Sequence, residues 1–209
     1  MHEPDKNGFS TLWPTTLLRR TIPNTEAANE ALLELILKAE SARDDMTVDY
    51  RSENLFSVSE GAYDWLKKCI DKSVSDYFKH QSISYDLEWS VQGWANVNRQ
   101  GDYHNLHNHP HSYLSGTYYI KVPEQPAGFR SDLNPGAISF FDPRPQANMG
   151  AISGDGQIDL ELRITPEPGL ILLWPSFLHH LVHPNLSEDA RVSVSFNVPL
   201  KNTERYLPS

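Results

Sequence analysis

The chain has 209 residues, of which 39% are hydrophobic and 22% are charged. This composition is typical of one globular domain and excludes a disordered or fibrous chain. The formal net charge is −9. The surface as a whole should therefore repel phosphate backbones, which disfavours non-specific binding to nucleic acid.

Three further features indicate the compartment. The first residues lack the charged-then-apolar pattern of a signal peptide, and no apolar run approaches the roughly 20 residues of a membrane span. The single cysteine, Cys69, cannot form an intramolecular disulfide. We therefore expect a cytoplasmic protein that does not enter the membrane.

Two amphipathic helices are predicted in the N-terminal part. The first has Thr25 as its N-cap, and its apolar residues recur at helical spacing as far as Ala39. The second is indicated by Ser57 with Glu60 three residues later, which is a capping-box pattern. Cys69 lies on the apolar stripe of this helix, so we expect it to be part of the core.

Beyond Leu87 the apolar residues alternate with polar ones, which predicts strands. Gly- and Pro-rich turns separate the predicted strands, and helices followed by many short strands indicate an α+β sandwich or barrel. We predict one domain over residues 1–209, with a helical part at 1–82 and a β-barrel core at 83–200. After the strand that begins near Leu87, the predicted strands are Leu114–Val122, Ala137–Phe141, Ile158–Thr165, Leu170–Trp174 and Val192–Val198.

Four histidines stand within eight residues: His104, His107, His109 and His111. In an extended segment the last three share a face, so two imidazoles can reach one metal ion. The alternative is a hydrophilic surface loop. Pro110 lacks an N–H, which places the segment at the end or edge of a strand.

A second histidine group, His179, His180 and His183, follows an apolar predicted strand. One of His179 and His180 must leave the apolar surface. The group is compatible with a metal ligand, or with one core histidine and two at the surface.

The last long predicted strand has a polar face formed by Arg191, Ser193, Ser195 and Asn197. This face either points to solvent or points into a barrel. In a barrel, the guanidinium would bind a carboxylate through two hydrogen bonds and the Ser193 hydroxyl would add another.

Taken together, these motifs resemble those of the Fe(II)/2-oxoglutarate-dependent oxygenase superfamily. From Trp94 to Pro199 the chain is similar to its prolyl-4-hydroxylase-like branch, and most of all to 2OG-Fe(II) oxygenases of bacteria and phages. The matching pieces are His107-Asn108-His109-Pro110, Ser115-Gly116-Thr117-Tyr118-Tyr119, Phe141-Asp142-Pro143-Arg144, Thr165-Pro166-Glu167-Pro168-Gly169, Pro175-Ser176, His180-Leu181-Val182-His183-Pro184 and Arg191-Val192-Ser193.

The resemblance implies a double-stranded β-helix, which is a jelly-roll or cupin-like barrel, with the N-terminal helices packed against it. It implies Fe(II) and 2-oxoglutarate as cofactors and selects His180 rather than His179 as a ligand. The implied metal ligands are His107, His109 and His180. The implied cosubstrate-binding residues are Arg191 and Ser193, with Tyr103, Tyr119 and Asn197 as further candidates and Arg144 as a weaker one.

One position departs from the superfamily pattern. His109 stands where a carboxylate usually completes the iron site, and zinc also accepts three histidines. Two alternatives therefore stay open: a cupin-like metalloenzyme that does not use 2-oxoglutarate, and a non-catalytic metal- or ligand-binding barrel. The substrate is expected to be a small molecule or a peptide, and a homodimer is compatible with the sequence.

Overall fold

The computed structural model describes residues 13–41, 54–83, 86–128, 131–144 and 160–202. These residues form two α-helices and mostly antiparallel strands. The helices are α1 (Glu26–Glu40) and α2 (Gly61–His80). The strands are β1 (Leu18–Thr21), β2 (Glu88–Trp89), β3 (Gln92–Asn98), β4 (His104–His107), β5 (Leu114–Lys121), β6 (Ile138–Phe141), β7 (Glu161–Ile164), β8 (Leu170–Pro175), β9 (His180–Val182), β10 (Arg191–Val198) and β11 (Leu200–Lys201).

Two larger sheets carry the architecture. The first has five strands in the order β1-β8-β5-β10-β3, and the second has four in the order β4-β9-β6-β7. All their pairings are antiparallel, and β2 with β11 forms a separate pair. In strand β10, which lies between β5 and β3, Ser193 is paired with Asn96 on one side and Tyr119 on the other. The polar face of β10 therefore continues across the sheet.

The apolar face of the five-stranded sheet packs against both helices. Val192, Val194 and Phe196 of β10 belong to the same buried cluster as Leu32 of α1 and Ile70 of α2. The alternation predicted from the sequence is confirmed here, because helix packing needs one apolar sheet face. Neither helix of the described residues is long and apolar enough to cross a membrane.

A second, smaller core lies on the other face of the five-stranded sheet. It joins residues of β5 and β8 to residues of β6 and β7, and so holds the two larger sheets together. Its buried members are Tyr119, Ile138, Phe140, Ile164, Leu170, Leu172, Trp174 and Leu178.

Two predictions about the second helix were wrong. The helix begins at Gly61, with Glu60 at the N-cap position, whereas Ser57 ends a short 3-10 turn. Asn54 caps that turn by accepting the Phe56 amide, so the local signal at Ser57 belongs to the turn and not to the helix. Cys69 is only partly buried and lies outside the core.

The remaining strand predictions agree with the described residues to within a few positions. Of the predicted strand Ile158–Thr165, residues 158 and 159 lie outside the described residues, and the described part is β7. The short strands β4 and β9, which carry the histidines, were not predicted as strands. Both are short, and their sequences, His-Asn-Leu-His and His-Leu-Val, show no alternation of apolar and polar residues.

Candidate metal centre

Three histidines converge where β4 and β9 pair. His107 ends β4 and lies opposite His180, the first residue of β9. His109 follows two residues later, and its Nε2 is 3.4 Å from Nε2 of His180. One ring nitrogen from each of the three residues lies within 4.8 Å of the others. This spacing suits imidazoles that bind one ion at about 2.0–2.1 Å each.

Backbone carbonyls fix the tautomers of two of these rings. Nδ1 of His107 lies 2.6 Å from the Asn105 carbonyl oxygen, and Nδ1 of His180 lies 3.1 Å from that of Leu178. A carbonyl only accepts, so each Nδ1 carries the proton and donates it. Nε2 of each ring is therefore left with a free lone pair, as a metal ligand requires.

The surroundings also keep two of the rings neutral. Burial, with a second contribution from nearby His107, lowers the pKa of His180 to about 3. Burial, with a second contribution from His107, lowers the pKa of His109 to about 4. Both imidazoles are thus unprotonated at neutral pH, and their lone pairs are available without displacing a proton.

Aromatic rings enclose the triad. The rings of Trp174 and His180 are 4.9 Å apart at 67°, and Phe140 packs edge-on against the same indole at 4.9 Å. On the other side, the ring of Trp94 lies 5.8 Å from that of His109. The triad therefore has an apolar wall behind it and a cavity in front.

That cavity, of about 890 Å³, lies between the two larger sheets. It is lined by the three histidines and by the whole polar face of β10: Arg191, Ser193, Ser195 and Asn197. This face points inward and not to bulk solvent, which decides between the two interpretations of its pattern. It becomes more exposed along the strand, from Arg191 at the closed end to Asn197 near the opening.

The guanidinium of Arg191 is 1% exposed, although it is always charged. Nη1 donates to the carbonyl oxygens of Gly136 and His183 at 3.2 and 3.4 Å, and Nη2 donates to Oδ1 of Asn98 at 3.0 Å. Nε has no hydrogen-bond partner, and no carboxylate of the described residues forms an ion pair with the group. A buried charge in this state fits an anionic ligand, which would complete its pairing.

The three further residues predicted to bind the cosubstrate all line the cavity, but they differ in exposure. Tyr119 is buried and lines it, and burial raises the pKa of its phenol to about 12. Tyr103 lines it as well, but 54% of its surface is exposed. Asn197 lines the opening, where its Oδ1 accepts a hydrogen bond from Ser115 at 2.7 Å.

Three other candidates lie outside the triad and the cavity. His111 and His179 are exposed, and His111 has a φ of +72° that turns it away from the direction of β4. The segment is therefore not extended as far as His111, which was the condition for this residue to share a face with His107 and His109. Arg144 lies outside the cavity and forms an ion pair with Asp142 at 2.5 Å.

Sequence reasoning did not predict the roles of three residues that line the cavity: Trp174, Asn98 and His104. Trp174 looked like an ordinary apolar strand residue, and its Nε1 is buried without a partner. Asn98 and His104 were not singled out as a pair, although both line the closed end of the cavity. The alternation of β3 could have placed Asn98 on the inner face, but no local signal pairs it with Arg191.

One known protein family matches the part of the chain that contains this site. The family described as "Putative 2OG-Fe(II) oxygenase" matches residues 92–197, slightly more than half of the chain. The chain belongs to this family. The oxygenase is accordingly an oxidoreductase whose cofactors are Fe(II) and 2-oxoglutarate, and the matched segment contains all three histidines and Arg191. No curated protein matches the oxygenase.

Several solved structures share the fold of the oxygenase. A prolyl-4-hydroxylase from Pseudomonas putida is 14% identical, with a TM-score of 0.58 over 87% of this chain and 85% of that one. HygX from Streptomyces hygroscopicus, with nickel and 2-oxoglutarate bound, is 11% identical, with a TM-score of 0.60 over 88% and 83%. A Trichoplax adhaerens prolyl hydroxylase in complex with a peptide fragment of hypoxia inducible factor is 14% identical, with a TM-score of 0.57 over 92% and 87%.

Proposed function

We propose that the oxygenase holds Fe(II) through Nε2 of His107, His109 and His180 and oxidises a peptide or a small molecule. The support is the convergence of three imidazoles whose ring nitrogens lie within 4.8 Å of one another. Three protein ligands on one side of an ion leave its other positions for cosubstrate and oxygen. The two larger sheets would then be the two sides of a double-stranded β-helix, with the metal at one end.

When bound, Fe(II) and 2-oxoglutarate would supply the oxidising chemistry, in which dioxygen gives one oxygen atom to the substrate and one to the succinate formed as carbon dioxide is lost. The protein contributes orientation and a dry pocket. Trp174 and Phe140 exclude water from behind His180, since all three rings are in contact. Carbonyl hydrogen bonds hold the rings of His107 and His180 with Nε2 directed away from the backbone.

The observation that carries the proposal is the state of Arg191. Its buried guanidinium is bound only by neutral acceptors, and its Nε lacks a partner. The distal carboxylate of 2-oxoglutarate would supply the missing negative charge and acceptors, and Ser193, on the same face of β10, would add its hydroxyl. Tyr119 closes this end of the pocket as an un-ionised phenol. Tyr103 and Asn197 are nearer the opening, where they would contact the substrate or the cosubstrate.

The charge and the volume of the cavity limit the class of substrate. Arg191 carries its only formal charge among the described lining residues, and carboxamides and hydroxyls form much of the rest. A volume of about 890 Å³ exceeds what 2-oxoglutarate fills and leaves room for a side chain or a small molecule. The peptide bound to the structurally similar prolyl hydroxylase supports a peptide substrate.

The test is 2-oxoglutarate binding to Mn(II)-loaded protein, measured by calorimetry without oxygen. Arg191→Lys keeps the charge but loses the planar fork, so we expect affinity to fall about 10- to 100-fold while Mn(II) affinity stays the same. With Fe(II), ascorbate and oxygen, the wild type should slowly form succinate even without its substrate. Unchanged 2-oxoglutarate affinity in Arg191→Lys would favour a cupin-like metalloenzyme that does not use this cosubstrate.

A further inference from the structure

Asn98 and Arg191 face each other at the closed end of the cavity. The two residues are register partners on β3 and β10, and both line the cavity. Arg191 Nη2 donates to Asn98 Oδ1 at 3.0 Å, and Asn98 Nδ2 lies 3.2 Å from Nε2 of His104. The three side chains thus form a continuous chain from the guanidinium to the start of β4.

The direction of each hydrogen bond in this chain follows from donor chemistry. A guanidinium has only donors, so the atom of Asn98 that faces it must be the oxygen. The Asn98 amide nitrogen then points to His104 and must donate, so Nε2 of His104 accepts. His104 therefore supports, from the other side, the carboxamide orientation that the guanidinium requires. A side chain without an acceptor at position 104 would remove this second support for the orientation.

A neutral partner at position 98 has a consequence for the ligand. An aspartate there would have nearly the same shape, but it would pair with the guanidinium inside the protein and cancel its charge. The asparagine satisfies one Nη2 proton without adding a negative charge in contact with the guanidinium, and the carboxylate of Asp102 interacts with Arg191 only beyond ion-pair distance. Nε of Arg191 stays without a partner at the same time. Arg191, which lines the closed end of the cavity, therefore keeps a positive charge without a contacting carboxylate and has an unused N–H.

We propose that Asn98, oriented by His104, is the residue that makes the closed end of the cavity selective for an oxo acid with a second carboxylate. Asn98 and His104 act as positioning residues, because they act on the cosubstrate through Arg191. The inference rests on the proposed function, in which Arg191 binds 2-oxoglutarate. It goes further by locating the selectivity in a neutral side chain that does not itself carry the charge.

The test compares two probes on Mn(II)-loaded protein by calorimetry. One is 2-oxoglutarate, and the other is 2-oxopentanoate, which has the same five-carbon chain without the distal carboxylate. Asn98→Asp should lower affinity for 2-oxoglutarate about 10- to 100-fold and leave that for 2-oxopentanoate nearly unchanged, so the preference between them shrinks by that factor. Gln92→Glu is the matched control. It makes the same amide-to-acid change on the same strand, at the exposed end of the cavity, and should leave the preference intact.

The His104 variants test the orienting step. His104→Ala removes the acceptor for Asn98 Nδ2 and should weaken 2-oxoglutarate binding about 3- to 10-fold. His104→Gln supplies a carbonyl oxygen in place of Nε2 and should restore most of the affinity. A purely structural role would not give rescue by glutamine together with unchanged 2-oxopentanoate binding. If Asn98→Asp does not fold, the two His104 variants are enough to test the role of the contact between His104 and Asn98.

The outcomes separate this inference from the proposed function. If wild-type protein binds Mn(II) but not 2-oxoglutarate, or if Arg191→Lys has no effect, the proposed function fails. If 2-oxoglutarate binding depends on Arg191 but the preference over 2-oxopentanoate is the same in Asn98→Asp and wild type, only the role of Asn98 is overturned. Equal affinities in His104→Ala, His104→Gln and wild type would overturn the role of His104.

Discussion

The metal-free triad should make the stability of this oxygenase fall as the pH drops below about 6.5. In the folded protein burial holds the pKa of His180 at about 3 and that of His109 at about 4. In the unfolded chain both return to their ordinary value of 6.5. Between these limits the unfolded chain binds protons that the folded protein does not. The stabilising contribution is therefore fully present above pH 6.5 and is lost as the pH falls toward the folded-state pKa values.

The magnitude follows from the number of rings and the span of pH. Each buried neutral imidazole lowers the free energy of unfolding by about 1.4 kcal/mol for every pH unit below 6.5. From pH 7.5 to 5.5 His109 and His180 together should reduce the free energy of unfolding by about 3 kcal/mol. Both folded-state pKa values lie well below 5.5, so the result barely depends on which is 3 and which is 4. A loss of this size corresponds to a fall in Tm of about 6–12 °C for a domain of this length.

The assay is urea unfolding of chelator-treated protein at pH 7.5 and 5.5. His180→Gln removes one titrating ring, so its loss between the two pH values should be about half that of the wild type. His80→Gln, at the exposed end of α2, is the matched control and should keep the full loss. Equal losses in the wild type and in His180→Gln would refute the reasoning, because burial of His180 would then not be the source.

The remaining predictions concern the metal and the core. His107→Ala and His180→Ala should each lose the bound metal, as measured by metal analysis after dialysis, and retention in both would contradict the triad. His109→Ala should weaken binding as well; if it does not, another group completes the site. His109→Asp rebuilds a site with one carboxylate and should still bind Fe(II), with succinate formation that persists or increases. Gly116→Ala should lower stability by about 1–3 kcal/mol in urea unfolding, because the added Cβ would overlap the Phe196 ring.

Much of the fold follows from local pattern alone. The alternation in β10 predicted a strand with one apolar and one polar face, because successive side chains point to opposite sides. The same rule placed Arg191, Ser193 and Asn197 on one face before any partner was known. The start of α2 was misplaced, because Ser57 forms a tight turn whose hydrogen bonds compete with those of a helix.

The sequence also showed two histidine clusters on either side of a strand-rich segment, and the resemblance to the oxygenase superfamily selected His107, His109 and His180 from them as candidate metal ligands. Their selection was not local. His180 is buried as the first residue of β9, whereas His179 precedes the strand and is exposed, and the pairing of β9 with β4 and β6 sets this difference. His111 was lost from the set because a single left-handed backbone angle ends the extended segment.

The pairing of distant strands determined which side chains line the cavity, and the local sequence pattern does not show this. Whether the polar face of β10 meets solvent or a cavity depends on the second sheet, which lies across the cavity from it. Asn98 and Arg191 are 93 residues apart in the sequence, so no local sequence pattern shows that they are in contact. The sequence by itself determined the chemistry that is available: imidazoles, a guanidinium and an alternating strand. Only the tertiary structure decided which of these groups meet, because the pairing of distant strands fixes which side chains share a face and which of them lose contact with water.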